Sequence, residues 1–213
     1  MRYRMFHRAG ALGLAGALVG WSFLGPRIPA PWRMPLQAGL AGLLVLVTRA
    51  PLGLCPPRLW AGLRLGLTAG SAAATGVVAT TSVPAVRLSM VGRELPPSAS
   101  AWLALQIPLG TVWAEEAAFR AALAATTRVF GASGGRLLQA AAFGLSHIAD
   151  ARATGEPVLP TVLATGGAGW IFGWLAERSG SLAAPMLAHL AINEAAAAAA
   201  LTIQRRGATV LGP

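Results

Sequence analysis

The sequence predicts an all-α fold, a polytopic transmembrane bundle of about seven helices. Three observations carry this. Hydrophobic residues make up 55% of the 213-residue chain and charged residues only 11%, whereas a typical soluble domain carries about 25% charged residues. The mean hydropathy is +0.60. The apolar residues also fall in long runs punctuated by proline and glycine, and crossing the hydrocarbon as helix takes about 20 apolar residues.

Seven runs are candidates: Ala9–Gly25, Leu36–Leu54, Leu59–Val83, Ala101–Phe130, Arg136–Ile148, Val158–Ala176 and Leu182–Ile203. The first follows Arg2, Arg4 and Arg8 and has no small-x-small cleavage site after it. It therefore reads as a retained helix rather than a signal peptide. The fifth is short and spans only part of the bilayer unless it extends past these bounds. Pro26, Pro29, Pro31 and Pro35 break the chain after the first run, and Pro56-Pro57 after the second. Pro96-Pro97-Ser98, Gly131–Gly135, Gly155-Glu-Pro157 and Ser179-Gly-Ser181 separate the later runs. Proline lacks a donor and fixes φ, and glycine permits turns. Gly62, Gly66 and Gly70, and less regularly Gly166, Gly169 and Gly173, have the small-xxx-small spacing of close helix packing. The whole chain reads as one integral membrane domain.

The net charge of +10 does not indicate nucleic-acid binding. Every basic residue is arginine, and they stand as singles or pairs between apolar runs, as interfacial anchors and orientation signals do. Their distribution gives a slight excess on the N-terminal side, favouring a cytoplasmic N-terminus. The partner expected from this pattern is a lipid bilayer. Arginine-only usage with an alanine and glycine bias suits a GC-rich bacterial genome, and hence an inner membrane. Cys55 is the single cysteine, which excludes an internal disulfide and a Cys-rich zinc site.

Against this background Glu115 and Glu116 are costly. The chain has 7 acidic residues, and two of them stand together in the fourth apolar run. A charge at bilayer depth costs roughly 2.5–3.5 kcal/mol on insertion scales and marks a functional site by default. Glu116 and Arg120 are four apart, share a helix face and can pair, which lowers the cost of burying either. Glu115 is rotated by about 100° on an ideal α-helix. It lacks that partner, which suits a group that takes and returns a proton. His147 closes Phe143-Gly-Leu-Ser-His147 on the fifth run. His189 and Asn193 on the seventh, four apart, project two hydrogen-bond donors from one face. Glu194 points elsewhere and reads as a secondary or interfacial residue; His7 reads as surface. Buried polar groups need partners, so the three helices should converge. A carboxylate–histidine couple can activate water and a His/Asn pair can hold an oxyanion, so peptide hydrolysis within the membrane is the natural reaction class.

These residues resemble a known family. Glu115-Glu-Ala-Ala-Phe-Arg120, Phe143-Gly-Leu-Ser-His147 and His189-Leu-Ala-Ile-Asn193 are similar to the EExxxR, FxxxH and HxxxN motifs of the CPBP family of CAAX proteases and bacteriocin-processing proteins. Ser179–Met186 resembles the family's approach to its third motif. The resemblance spans Ala101–Ile203, which would be a CAAX-protease-like catalytic core, and implies an intramembrane glutamic endopeptidase related to type II CAAX prenyl endopeptidases. It implies that Glu115 and His147 activate water, that His189 and Asn193 form the oxyanion hole, and that Glu116 and Arg120 brace the site. It implies no cofactor. The alternatives are the same site with a bound metal, since Glu and His also ligate zinc, and a non-catalytic membrane scaffold or immunity protein. A transporter would show paired, broken inverted halves, and none is visible. The segment after His147, Ala149–Pro157, reads as a short loop.

Overall fold

A computed structural model describes residues 2–211, and side chains over residues 5–206. Arg2 and Arg4, counted among the orientation signals, lie outside the residues whose side chains are described. The described residues are all-α: α1 (Arg2–Leu24), α2 (Ala30–Thr48), α3 (Arg58–Thr80), α4 (Pro84–Val91), α5 (residues 99–127), α6 (Gly131–Ser146), α7 (Ile148–Thr154), α8 (Val158–Ser179) and α9 (Ala183–Leu211). Four segments are long and apolar enough to cross a membrane: Met5–Arg27, Ala30–Thr48, Val158–Ser179 and Ala183–Arg206. The pair α3–α4, bent by 91°, would supply a fifth. The chain is a multi-pass membrane helix bundle.

Several boundaries differ from the sequence expectation, each for a local reason. The second helix begins at Ala30 rather than Leu36, because Pro31 falls in the first turn, where a missing N–H costs no bond. It ends at Thr48 rather than Leu54, with Arg49 in the left-handed conformation (φ 50°). The third helix stops at Thr80, and Pro84 restarts the chain as the separate α4. Ser98 caps α5 by accepting from the Ala101 N–H at 3.2 Å. Gly131 (φ 75°) breaks the chain after α5, as expected, but residues 131–135 also form the first turn of α6. A Cβ on Gly135 would lie 3.1 Å from Thr127 O and Oγ1, so its absence lets α6 fold back on the end of α5. Residues 148–154 are helical, not a loop, and Gly155 (φ 72°) terminates them.

The packing is that of a protein in lipid. The interior is mostly alanine, including Ala114, Ala117, Ala118, Ala121, Ala122, Ala142, Ala184 and Ala188, all below 9% exposed. Large apolar residues such as Leu46, Leu67, Leu159, Leu163 and Ile171 face outward. Since lipid tails are as apolar as leucine, association depends on close approach rather than on burying large side chains. Helix α3 shows how close: a Cβ on Gly62 would lie 2.6 Å from Ser181 Oγ, and one on Gly66 2.9 Å from Ala184 Cα of α9. Leu182 N–H also donates to Leu52 O at 2.8 Å, tying the segment before α3 to the start of α9.

Replacing Gly66 by leucine should therefore part α3 from α9 and cost about 1–3 kcal/mol, the usual penalty of overpacking. Gly76, with no heavy atom within 4 Å of its built Cβ, should accept leucine without loss. Thermal unfolding of both variants in detergent measures the difference.

Candidate active site

Helix α5 carries both glutamates and is wound unusually. Trp102–Trp113 and Glu116–Leu123 are π-helical. Bonds run from i to i+5, a pattern that is rare and concentrated at functional sites. Pro108 sits inside the first stretch and contributes no N–H. The wider winding turns successive residues by less than the α-helical 100°, yet Glu116 and Arg120 still share a face. Trp113 Nε1–H donates to Ala38 O at 3.2 Å and holds α5 against α2.

Glu116 and Arg120 are both fully buried, with NH1 3.3 Å from Glu116 Oε1. The contact is an ion pair without hydrogen-bond alignment: Arg120 Nε, NH1 and NH2 make no hydrogen bond among the described residues. The guanidinium lies 3.9 Å above the Phe143 ring, with Phe172 at 5.2 Å and Phe119 at 5.7 Å. Ring faces attract cations, and more strongly when desolvated. Gly169 makes room for this stack, because its Cβ would lie 3.0 Å from Phe143 Cδ1 and 3.2 Å from Arg120 NH2.

Glu116 has a second partner that the spacing reading did not find. His189 Nδ1 donates to Glu116 Oε1 at 2.8 Å. The imidazole stacks on Phe172 with ring centres 5.0 Å apart. Its other nitrogen, Nε2, faces Glu115 Oε2 at 3.8 Å. The Glu115 side chain is 28% exposed, against none for Glu116. Adjacent residues thus occupy different environments: Glu116 anchors a cation and an imidazole, and Glu115 opens toward space.

His147 lies at the break between α6 and α7, not within a helix as the sequence suggested. Its Nδ1 is 2.8 Å from Phe143 O. A carbonyl can only accept, so Nδ1 is the donor to it, and in the neutral ring Nε2 keeps its lone pair. Phe143 therefore contributes twice, its carbonyl to His147 and its ring to Arg120. Asn193 Nδ2 donates to His189 O at 3.1 Å within α9. This leaves one amide proton and Oδ1 for other partners.

Two cavities meet at these residues. The larger, of about 720 Å³, is lined by Glu115, His147, His189 and Asn193 together with Gln106 and Thr165. The second, of about 330 Å³, runs between α1 and α2 past Leu14, Leu18, Leu40 and Leu44 to Glu115 and His147. Asp150, which the sequence reading did not single out, lines both. Its only sequence signal is its place three residues after His147. Glu194 is partly buried on α9 and lines neither cavity. No group of three or more His, Cys, Asp and Glu side chains among the described residues is placed to share a metal ion.

Residues 97–195 match the family described as Type II CAAX prenyl endopeptidase Rce1-like. This segment is similar to that family. It contains all three motifs, from α5 to the first half of α9, and the Rce1-like family is a protease family. The match covers a little under half of the chain and leaves out α1–α4, although α1 and α2 wall the smaller cavity. No curated protein and no solved structure matches the chain.

Removing the charge of Glu116 alone, in Glu116→Gln, leaves Arg120 buried without its counter-charge and should cost about 3–5 kcal/mol. Adding Arg120→Met to it should recover most of that loss. The four proteins of this cycle, compared by thermal or denaturant unfolding in detergent, give the coupling directly.

Proposed function

We propose that the protein is an intramembrane endopeptidase that hydrolyses a peptide bond with a water activated by Glu115 and His147. The observation that carries this reading is that these two residues, on separate elements, line the same two cavities, while His189 and Asn193 line the larger one. Neither a hydrogen bond nor an ion pair joins Glu115 to His147 among the described residues, so both keep acceptor capacity for a shared water. Glu115 takes a proton as the water oxygen attacks the carbonyl carbon, and the tetrahedral oxyanion forms. Its collapse breaks the C–N bond, and Glu115 returns the proton to the leaving amine. His147, with Nε2 unprotonated, orients the water and shares its proton.

Asn193 supplies the second proton of its amide to the oxyanion. His189 donates from Nδ1 to Glu116, so its Nε2 can donate only when the ring is doubly protonated. Glu116 and Arg120 hold that ring and the helix behind it. The substrate is a peptide or a membrane protein, reaching the site through the polar cavity, the apolar groove or both. The membrane is a bacterial inner membrane in this reading, consistent with the arginine-only basic set. In this reading the reaction needs no metal.

Glu115→Gln and His147→Ala should each lower cleavage about 10²–10⁴-fold, the range of general acid–base catalysis, with insertion and unfolding temperature unchanged. Asn193→Ala should cost about 10²–10³-fold in kcat. Comparing the proteomes of wild-type and Glu115→Gln cells for an uncut fragment identifies the substrate, and purified protein then gives the rates. Cleavage at wild-type rate by both variants would overturn the reading. Chelators should leave the rate unchanged; loss restored by one specific metal would replace this mechanism with a metal-dependent one.

A further inference from the structure

A third cavity, of about 540 Å³, lies at the other end of the bundle from the mouth of the larger site cavity. It forms where α5 and α8 end and where α3, α6 and α9 begin. Its charged lining is Arg58, Arg120, Arg128 and Glu177. Glu177 is already paired with Arg136 at 3.1 Å. Arg58 and Arg128 are exposed at the rim, and the stem of Arg58 lies along Gly180, whose Cβ would sit 3.5 Å from Arg58 Cδ. Arg120 forms the inner wall. Its side chain is fully buried, and its Nε and NH2 have no hydrogen-bond partner among the described residues. Guanidinium donors without acceptors, at the wall of a space many times the roughly 30 Å³ share of one water, are suited to a polyatomic anion.

We propose that this cavity binds the phosphate group of an anionic ligand, with Arg58 and Arg128 as outer contacts and the free Arg120 donors as the inner one. Arginine forks match phosphate oxygens in pairs. Basic pockets between transmembrane helices take lipid headgroups, and free phosphate carries the same chemistry. The site shares Arg120 with the Glu116–His189 pair but needs no catalysis, so its test stands apart from the peptidase reading.

The whole protein in a neutral detergent is titrated with inorganic phosphate at constant ionic strength, and separately with phosphatidylglycerol, while the unfolding temperature is followed. A saturable rise is expected. In Arg58→Gln/Arg128→Gln the half-saturating concentration should increase about tenfold or more, the effect of one or more charge-assisted contacts. Arg49→Gln/Arg178→Gln, which changes arginines outside the cavity, should stay within about twofold. If the double variant fails to fold, each single variant reads the same site. Saturation by both ligands assigns a phosphate site open to soluble anions; saturation by the lipid alone assigns a headgroup site. No saturable rise, or an equal weakening in both double variants, means an adventitious ion only and overturns the proposal.

Discussion

The buried Arg120 cation is the constraint on which the rest of the site depends. A guanidinium without exposure, in a chain built to sit in lipid, must be matched by charge and by polarizable surface. Glu116 supplies the charge at 3.3 Å, and three phenylalanines supply ring faces or edges. Each ring comes from a different helix: Phe119 from α5, Phe143 from α6 and Phe172 from α8. The cation therefore holds α5, α6 and α8 together, and α9 joins them through the His189–Glu116 bond. Gly169 belongs to the same arrangement, since a side chain there would meet both the ring and the guanidinium.

From Arg120 the order passes outward through shared atoms. Glu116 Oε1 faces Arg120 on one side and accepts from His189 on the other. That contact fixes the rotation of α9 and with it the position of Asn193 four residues on. Phe143, pinned by its ring against Arg120, accepts from His147 through its carbonyl and so sets the tautomer at the end of α6. His189, Asn193 and His147 are thus positioned, directly or through one neighbour, by a single buried ion pair. Glu115 is left with one partly exposed carboxylate and a 3.8 Å approach to His189.

The fold class was legible because composition decides it. A chain with so few charges cannot cover a soluble surface, and proline and glycine mark most of the breaks. The boundaries were less legible where proline fell inside a first turn, as at Pro31, or where glycine served packing rather than a turn, as at Gly135. The Glu116–Arg120 pair followed from spacing, which survives the π winding. The winding itself did not, since no residue type specifies i+5 bonding. Nor could the His189–Glu116 bond be read, because it joins residues 73 apart through tertiary packing. The three-phenylalanine box was hidden for the same reason. Phe143 was noticed as part of a motif, but Phe119 and Phe172 look like ordinary apolar residues of membrane helices.

The placement of His189 between two carboxylates bears on the proposed reaction. One carboxylate, Glu116, is bound and fixed; the other, Glu115, is partly exposed and faces Nε2 at 3.8 Å. While Glu115 is ionised, Nε2 of a doubly protonated His189 is drawn toward it. In the proposed reaction Glu115 takes the proton of the attacking water, and that attraction would end as negative charge appears on the carbonyl oxygen. His189 can then turn its donor to the oxyanion without giving up its bond to Glu116. The two adjacent glutamates would in this way link proton abstraction to oxyanion stabilisation. A single glutamate could not, since the carboxylate that holds the imidazole still must keep its charge while the other loses it.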